Sequence, residues 1–402
     1  MIRKIPAEKL IPGMYVVDLH RNWFEHSLWR RQFRIEDEAM VRRLIADGVT
    51  EVSIDTARGS DLPAGKEASR PGRRVPVLPL GERLRLGRTI SLGEERRRAA
   101  KLLRQATALV DDLHQAASAG RNVELGRLEP VIGKMIESVA RNPDGLAPLA
   151  RLKRIDTYAT HHAVATTALM IALARQQGLS QTRIEKLALG TLVQDVGHAA
   201  LDQDLIARPG RLSSDERALL HSHVAEGLMV LDATTRLPEP ALAVVLEHHE
   251  RFDGSGYPYR MAGEDISLAG RMAAIVDSYD AMTSDRPYRR ALSPAAAVRK
   301  VYEAGGTLFD PETVAGFVHT VGVYPVGSLV RLESGHLAVV AEVHPDDLLR
   351  PVVRVIYHAG RRQYVTPMEV DLSRRHGNHF GQVVRAEEFE SWGLNPLRWQ
   401  PA

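Results

Sequence analysis

The feature that most constrains the fold is a succession of helical segments without intervening strands, from about residue 125 to residue 320. The breaks between these segments fall at Asn142-Pro143, Gly178, Arg208-Pro209-Gly210 and Leu237-Pro238, where glycine and proline typically end helices. The longest apolar run, at 163–174, predicts a buried helix. Because strands and helices do not alternate here, we expect an all-helical core rather than a doubly wound sheet.

Shorter β-rich segments flank the helical region on both sides. In residues 1–56, β-like runs at 14–17 and 49–54 surround a helical run at 36–46, which predicts a small α/β module. After Tyr324-Pro325, the turns Ser334-Gly335 and Ala359-Gly360 separate β-rich runs at 326–332, 337–343, 352–357 and 363–366. The expected fold is mainly α, with this module before the helical domain and a small C-terminal β unit after it.

A linker and a long amphipathic helix join the module to the helical core. Gly, Pro and Arg are dense at 57–80, which is typical of a linker. The helix is expected to begin at Ser91, because Ser91 and Glu94 form an S-x-x-E capping box. Its apolar face is expected to pack on the chain's own core; the alternative is a homodimer formed through this helix. The 402 residues thus divide into 1–56, 57–80, 81–124, 125–322 and 323–402.

Composition excludes several classes of site and partner. The chain has no cysteine, so disulfides and thiolate metal sites are excluded. Its net charge is +3, and the run Arg96-Arg97-Arg98 lacks interleaved aromatic residues, so no nucleic-acid polymer is expected as a partner. No apolar run approaches the roughly 18 residues of a membrane span, and the N-terminus lacks a secretory signal. We expect a cytoplasmic protein.

Histidines and carboxylates of the helical region are the residues that could carry chemistry. The candidates are His161, His162, His198, His221, His223, His248, His249, Asp195 and Asp277. A cysteine-free set of imidazoles and carboxylates suits Fe, Mn, Ni or Zn. Two such ions about 3.5–4 Å apart can clamp the attacking and leaving oxygens of a phosphodiester, and a carboxylate is a natural bridge between them.

One continuous segment carries most of the functional information. It reads His248-His249-Glu250-Arg251-Phe252-Asp253-Gly254-Ser255-Gly256-Tyr257-Pro258. This string resembles the signature of the HD-GYP family, metal-dependent phosphodiesterases that hydrolyse cyclic di-GMP. The resemblance covers roughly residues 140–322. Residues 1–56 resemble, more loosely, the domain of unknown function that often precedes HD-GYP domains.

The resemblance implies a set of metal ligands, position by position. It places His162 and Asp277 on one ion, His223, His248 and His249 on the other, and Asp195 as the bridge and catalytic carboxylate. The implied cofactors are two divalent transition-metal ions, Fe or Mn first and Ni or Zn as alternatives. His161 and His221 fall outside the motif positions and are expected to be bystanders, whereas Asp280 is expected to hydrogen-bond behind the ligands.

The same resemblance implies how the substrate is bound. Arg286 and Arg289, in Arg286-Pro287-Tyr288-Arg289, are expected to contact phosphate. The loop residues Asp253, Gly254, Gly256, Tyr257 and Pro258 are expected to contact the guanine nucleotide, or a partner protein such as a diguanylate cyclase. Two glycines within three residues permit a close approach to the backbone. Glu250 is expected either to join this site or to orient a histidine.

Three positions depart from the family pattern. Gln194 replaces the histidine of the His-Asp pair, and its amide can offer only a weak carbonyl ligand. His198 replaces a lysine that resembles the family's phosphate anchor; it could donate a hydrogen bond to phosphate or protonate a leaving group. Tyr158 stands where some members carry a Glu that binds a third metal, so three metals are not expected.

Two functions from different classes follow. The first is a cyclic di-GMP phosphodiesterase, in which a metal-bound hydroxide attacks the phosphodiester in line and Gln194 weakens one ion site. The alternative is a non-catalytic sensor that binds cyclic di-GMP or a diguanylate cyclase. A phosphohydrolase for alarmones or dNTPs is disfavoured, because the loop Asp253–Pro258 resembles the HD-GYP branch specifically.

Overall fold

The computed structural model describes residues 2–18, 33–35, 37–46, 49, 51–56, 58–60, 90–150, 158–208, 210, 212–232, 237–285, 290–374 and 379–399. The chain divides into two compact units, Met1–Leu78 and Pro79–Ala402. Most of the predicted linker at 57–80 lies outside the described residues. Within the described ranges, no helix combines the length and apolarity needed to cross a membrane.

The first unit is the small α/β module that the sequence predicts. Its antiparallel sheet has the order β1-β4-β2-β3, and Leu44 of its helix is fully buried in one core with Val16 and Ile54 of the sheet. The Ser60 N–H donates to the Gly13 carbonyl oxygen at 2.9 Å, so the module extends past the predicted boundary at residue 56. The elements are β1 (Ile2–Pro6), β2 (Tyr15–Asp18), β3 (Phe33–Arg34), α1 (Glu38–Ala46) and β4 (Glu51–Asp55).

Helix α2 (Leu92–Ser118) begins where the sequence predicts. The Ser91 hydroxyl accepts a hydrogen bond from the Glu94 N–H at 3.3 Å, whereas the Glu94 carboxylate pairs with Arg98 at 2.6 Å. Of the two hydrogen bonds of the predicted capping box, the described contacts therefore include the one from the Glu94 N–H to the Ser91 hydroxyl. The apolar face, which includes Leu102 and Val110, is buried against helices of the same unit. That face packs on the chain's own core, as expected, and is not available for pairing with a second subunit.

The second unit has the all-helical core that the sequence predicts. Side chains of Ser180, Ser213, Ser267 and Asp310 cap its helices by accepting hydrogen bonds from first-turn N–H groups. The predicted apolar run at 163–174 is buried throughout, so α5 forms the centre on which the other helices pack. The helices are α3 (Glu129–Arg141), α4 (Pro143–Ala150), α5 (Tyr158–Gln176), α6 (Gln181–Val193), α7 (Gln203–Ala207), α8 (Ser214–His221), α9 (His223–Asp232), α10 (Glu239–Glu247), α11 (Leu268–Met282), α12 (Pro294–Glu303) and α13 (Pro311–Val321).

The C-terminal β unit is an antiparallel sheet in the order β8-β7-β6-β5-β9. Both predicted hairpin turns are present, Ser334-Gly335 and Ala359-Gly360. Sequence reasoning missed β9, because most of its side chains are exposed and supply little apolar signal. The elements are β5 (Leu329–Leu332), β6 (His336–Glu342), β7 (Val352–His358), β8 (Gln363–Asp371), β9 (Val383–Glu387) and the short helix α14 (Pro396–Trp399).

Candidate metal centre

One group of candidate ligands gathers around Asp195, which lies two residues after α6. His223 begins α9, and His248 and His249 directly follow α10. Asp195 Oδ1 lies 3.6 Å from His223 Nε2 and 3.7 Å from His248 Nε2. Taking one ligand atom from each of the four residues, all lie within 4.8 Å of one another. We call Asp195, His223, His248 and His249 the three-histidine group.

A second group shares Asp195 and takes its other members from α5 and α11. His162 Nε2 lies 2.9 Å from Asp277 Oδ1 and 3.5 Å from Asp195 Oδ2. His162 Nδ1 donates to Asp280 Oδ2 at 2.6 Å, so Asp280 supports this ligand from behind. We call His162, Asp195 and Asp277 the His162–Asp277 group; it too brings three ligand atoms within 4.8 Å of one another.

Asp195 divides its two oxygens between the groups. Its Oδ1 faces His223 and His248, while its Oδ2 faces His162. A carboxylate with one oxygen toward each of two groups of candidate ligands has the geometry expected of a bridging ligand. The helices therefore place the Asp195 side chain between the two ligand groups, and its role as a bridging ligand stays a prediction.

Electrostatics keep most of the three-histidine group ready to bind a cation. Burial, with help from His198, lowers the pKa of His223 to about 3. Burial and the neighbouring His248 and His223 hold the pKa of His249 well below its ordinary value. Burial alone would raise the pKa of Asp195, but its hydrogen bond with His248 and the nearby imidazoles hold it well below the usual range. Two neutral imidazoles and an ionised carboxylate result, the forms that bind metal.

The His162 imidazole must lose a proton before Nε2 can bind an ion. Burial acts to lower its pKa, but hydrogen bonds to Asp277 and Asp280 outweigh burial and raise the pKa to about 9. Below that pH, the proton on Nε2 competes with the ion. We expect the metal affinity of the His162–Asp277 group to rise about tenfold per pH unit from about pH 7, and to level off near pH 9. Calorimetric metal titrations across this range measure the slope.

The Asp280→Asn variant is the control for this pH dependence. It removes one of the two carboxylates that raise the pKa of His162, so the plateau in affinity should begin at a lower pH. An affinity that does not change with pH in the wild-type protein would contradict the protonation argument.

The Gln194 side chain forms a wall of the His162–Asp277 group. It is 1% exposed, and its Nε2 donates to Asp277 Oδ1 at 3.2 Å. Among the described residues, its buried Oε1 has no hydrogen-bond partner. An amide nitrogen cannot bind a metal. Coordination by Gln194 therefore requires the amide to rotate, which brings Oε1 toward the group and breaks the hydrogen bond to Asp277.

The residues present fit a divalent transition metal. The donors are imidazole nitrogens and carboxylate oxygens, which suit such ions, and their separations are close to the ~3.0–3.4 Å expected for ligands about 2.1 Å from one ion. The His223 and His248 rings also hydrogen-bond backbone carbonyls through Nδ1, at 2.7 and 3.0 Å, which directs Nε2 inward. The three-histidine group is complete in donors, whereas the His162–Asp277 group lacks the imidazole that Gln194 replaces.

His198 lies at the open side of the three-histidine group. Its ring stacks on His223 with centroids 4.1 Å apart, and its Nε2 is 3.7 Å from Asp195 Oδ1. Its side chain is 36% exposed, and the burial of the rest of the ring, together with the neighbouring His248 and His162, lowers its pKa. A neutral imidazole here can donate one hydrogen bond to an anionic ligand, as the sequence suggests for this position.

Sequence reasoning missed His114, which α2 brings close to the same residues. Burial lowers its pKa, and Asp195 and His198 both act on it electrostatically. One helical turn later, the Ser118 hydroxyl donates to the Ala199 carbonyl oxygen at 3.0 Å, which packs this end of α2 against the turn that carries His198. The sequence signal that could have indicated His114 is the presence of a histidine on the apolar face of α2.

A pair of glycines lets the backbone approach the metal centre closely. A Cβ at Gly197 would overlap the His223 carbonyl and the Gly227 N–H. The turn that carries Asp195 and His198 therefore packs directly on the first turn of α9. Gly197 and Gly227 thereby permit the short separation between Asp195 and His223.

Glu250 supports the segment that directly follows the loop at 253–258, which we call the GYP loop. The described contacts do not connect Glu250 to a histidine. Its carboxylate is buried and accepts hydrogen bonds from the N–H groups of Tyr259 at 2.7 Å and Met261 at 3.1 Å. A Cβ at Gly256 would overlap the backbone of His249, Glu250 and Arg251. Gly256 thus permits a close approach of the chain to itself; contact of this loop with a substrate stays a prediction.

Loss of one of these acceptors should loosen the GYP loop. In Glu250→Gln, an amide NH2 replaces one of the two accepting oxygens and leaves a buried N–H unsatisfied, which costs about 1–3 kcal/mol. We expect a lower unfolding midpoint in calorimetry and faster proteolysis within the loop. Glu264→Gln, at an exposed position nearby, is the control and should leave both unchanged. Equal stability of the two variants would contradict this role.

The remaining predicted positions have mixed outcomes. Arg286 and Arg289 lie outside the described residues. The Tyr158 ring stacks on His162 at 5.5 Å and adds no carboxylate to the site. His161 and His221 belong to neither ligand group among the described residues, although His221 stacks on Tyr257 in the GYP loop.

The helical fold and the cluster of imidazoles and carboxylates are those of an HD-domain phosphohydrolase, a class whose members depend on metal ions. A family model described as an HD domain matches residues 135–313. A domain of unknown function matches residues 2–128, and a KOW domain associated with HD domains matches residues 329–391.

Similar curated proteins narrow the class to a family. A cyclic di-GMP phosphodiesterase of Pseudomonas aeruginosa is 37% identical over 398 residues, which is 99% of this chain and 95% of that protein. The cyclic di-GMP phosphodiesterase response regulator RpfG of Xanthomonas campestris is 36% identical over 35% of this chain and 38% of its own length. A 3'3'-cGAMP-specific phosphodiesterase of Vibrio cholerae is 32% identical over 35% of this chain and 27% of its own length. The chain belongs to the HD-GYP family, as the GYP loop predicts.

Proposed function

We propose that this protein hydrolyses cyclic di-GMP with two divalent transition-metal ions, Fe or Mn in preference to Ni or Zn. The observation that carries the proposal is Asp195, whose two oxygens face two different groups of buried ligands. The similarity to a cyclic di-GMP phosphodiesterase over nearly the whole chain supports the choice of substrate.

Each part of the site has a role in this reaction. His223, His248, His249 and Asp195 would hold one ion; His162, Asp277 and Asp195, with the rotated Gln194 amide, would hold the other. Bound ions supply a Lewis acid and lower the pKa of water toward neutrality. His198 would donate a hydrogen bond to the phosphate or a proton to the leaving oxygen. Arg286 and Arg289 would neutralise phosphate charge, and the GYP loop would contact a guanine nucleotide.

A non-catalytic sensor is the second candidate, and Gln194 is the observation that favours it. The Gln194 amide donates to Asp277, which also contacts His162, so Asp277 Oδ1 already has two hydrogen-bond partners from the protein where an ion would bind. A protein that binds an ion only in the three-histidine group could bind cyclic di-GMP, or a diguanylate cyclase through the GYP loop, without turnover.

Metal content and hydrolysis measured on one sample distinguish the two functions. Protein purified without chelators would be analysed for metal, then assayed with cyclic di-GMP in the presence of Mn²⁺ or Fe²⁺, with 3'3'-cGAMP as a parallel substrate. About two ions per chain with cleavage of cyclic di-GMP to the linear dinucleotide or GMP supports the enzyme. Binding of cyclic di-GMP without cleavage under all these conditions would contradict it and favour the sensor.

A further inference from the structure

His221, Tyr257 and His249 form a stack of three rings at the edge of the three-histidine group. The His221 and Tyr257 rings are nearly parallel, with centroids 3.6 Å apart and an interplanar angle of 7°. Tyr257 also lies 4.6 Å from His249, at 29°. The Tyr257 ring therefore contacts a residue outside the ligand groups and a candidate metal ligand, and it belongs to the motif that names the family.

The stack matters because, among the described residues, His249 lacks the hydrogen bond that fixes the orientation of the other candidate imidazole ligands. His162, His223 and His248 each use Nδ1 to hydrogen-bond an acceptor behind the ring: Asp280 at 2.6 Å, the Leu220 carbonyl at 2.7 Å and the Val245 carbonyl at 3.0 Å. Within the described part of the chain, no such acceptor faces His249. Its neighbours are rings: His248 at 4.1 Å, Tyr257 at 4.6 Å and His223 at 5.1 Å.

An imidazole without a hydrogen bond behind it can rotate about χ2, and a metal site loses affinity when a ligand is free to rotate. Parallel stacking restricts that rotation, since the ring faces must stay in contact. Tyr257 can restrict His249 only if Tyr257 is itself held in place, and His221 packs against it at van der Waals distance.

We infer that His221 is a positioning residue, which clamps Tyr257 of the GYP loop and through it orients His249 toward the ion of the three-histidine group. His221 ends α8 and His223 begins α9, with Ser222 between them. One turn of the chain thus carries both His223, a ligand of the ion, and His221, which positions another ligand through Tyr257. The inference rests on the metal centre of the proposed function, but it is independent of the substrate.

The test compares His221→Ala, which removes the stacked ring, with His221→Phe, which keeps a ring and removes the imidazole nitrogens. The full-length proteins would be loaded with Co²⁺, whose visible absorption reports ligand number and geometry, and then challenged with a chelator. We expect His221→Ala to bind Co²⁺ about tenfold more weakly, with an altered spectrum. His221→Phe should bind Co²⁺ with the affinity and spectrum of the wild-type protein. Weaker binding in this variant would mean that the imidazole itself, rather than a stacked ring, is required.

Leu219→Ala is the matched control, because Leu219 is an exposed residue of the same helix, about 200° around its axis from His221. Thermal unfolding of all variants separates a local effect from a loss of fold. Wild-type affinity and spectrum in His221→Ala would overturn the clamp alone. A wild-type protein that binds no Co²⁺ would overturn the metal centre and the clamp together.

Discussion

The Asp195→Asn variant should lose both bound metal and activity, and this is the largest effect that we expect. The substitution keeps the size of the side chain but replaces one carboxylate oxygen with an NH2 group and removes the negative charge. Only one of the two ligand groups can then keep an oxygen donor from residue 195. The metal content should fall from about two ions per chain to one or none.

The same variant should lower the rate of cyclic di-GMP cleavage by about a thousandfold or more, equivalent to ~4 kcal/mol in the barrier. Metal analysis and hydrolysis would be measured on matched samples. Asp204→Asn, an exposed position in α7, controls for loss of an acidic side chain in the same part of the sequence. If Asp195→Asn retained full metal content and full activity, the bridging role and the proposed mechanism would both be wrong.

The Gln194→His variant should strengthen the weaker of the two ion sites. Gln194 is buried, and its amide nitrogen points at Asp277. An imidazole at this position can supply a strong nitrogen ligand where the amide offers only a weak carbonyl oxygen. We expect the His162–Asp277 group to bind its ion about tenfold to a hundredfold more tightly. The measurement is metal retained after dialysis against a chelator, followed by the rate of hydrolysis.

Gln181→His, at an exposed position in the first turn of α6, the helix that ends directly before Gln194, controls for the added histidine. The two proposed functions give different results in this experiment. If the wild-type protein is an enzyme limited by its weaker ion site, Gln194→His should be more active than the wild-type protein at low metal concentration. If the wild-type protein is a sensor, turnover should appear only in the variant. Unchanged metal retention would mean that position 194 does not face an ion.

The helical core and the β unit could be predicted because their signals are local. The apolar run at 163–174 and the capping residue Ser91 act within a few turns of helix, and the structure has a buried α5 and a capped α2 at those positions. Strand β9 was missed because its local signal is short: two valines, Val383 and Val384, are followed at once by Arg385-Ala386-Glu387.

The resemblance to the HD-GYP family predicts which kinds of residue form the metal centre, and the structure brings the predicted His and Asp side chains close together. The sequence alone indicates a cysteine-free site of imidazoles and carboxylates in a helical phosphohydrolase, with a glutamine at one ligand position. It also indicates the GYP loop that places the chain in its family. That imidazoles and carboxylates can bind metal ions follows from the residue types, without knowledge of their contacts.

Only the tertiary structure decided how these side chains face one another. His162 and Asp277 are 115 residues apart and meet at 2.9 Å, and the direction of each oxygen of Asp195 follows from where α5, α9 and α10 bring their histidines. The acceptors of Glu250 and the stack of His221 on Tyr257 arise in the same way. The physical reason is that helical periodicity is a property of neighbouring residues, whereas the direction of a buried side chain is set by the packing of distant segments against it.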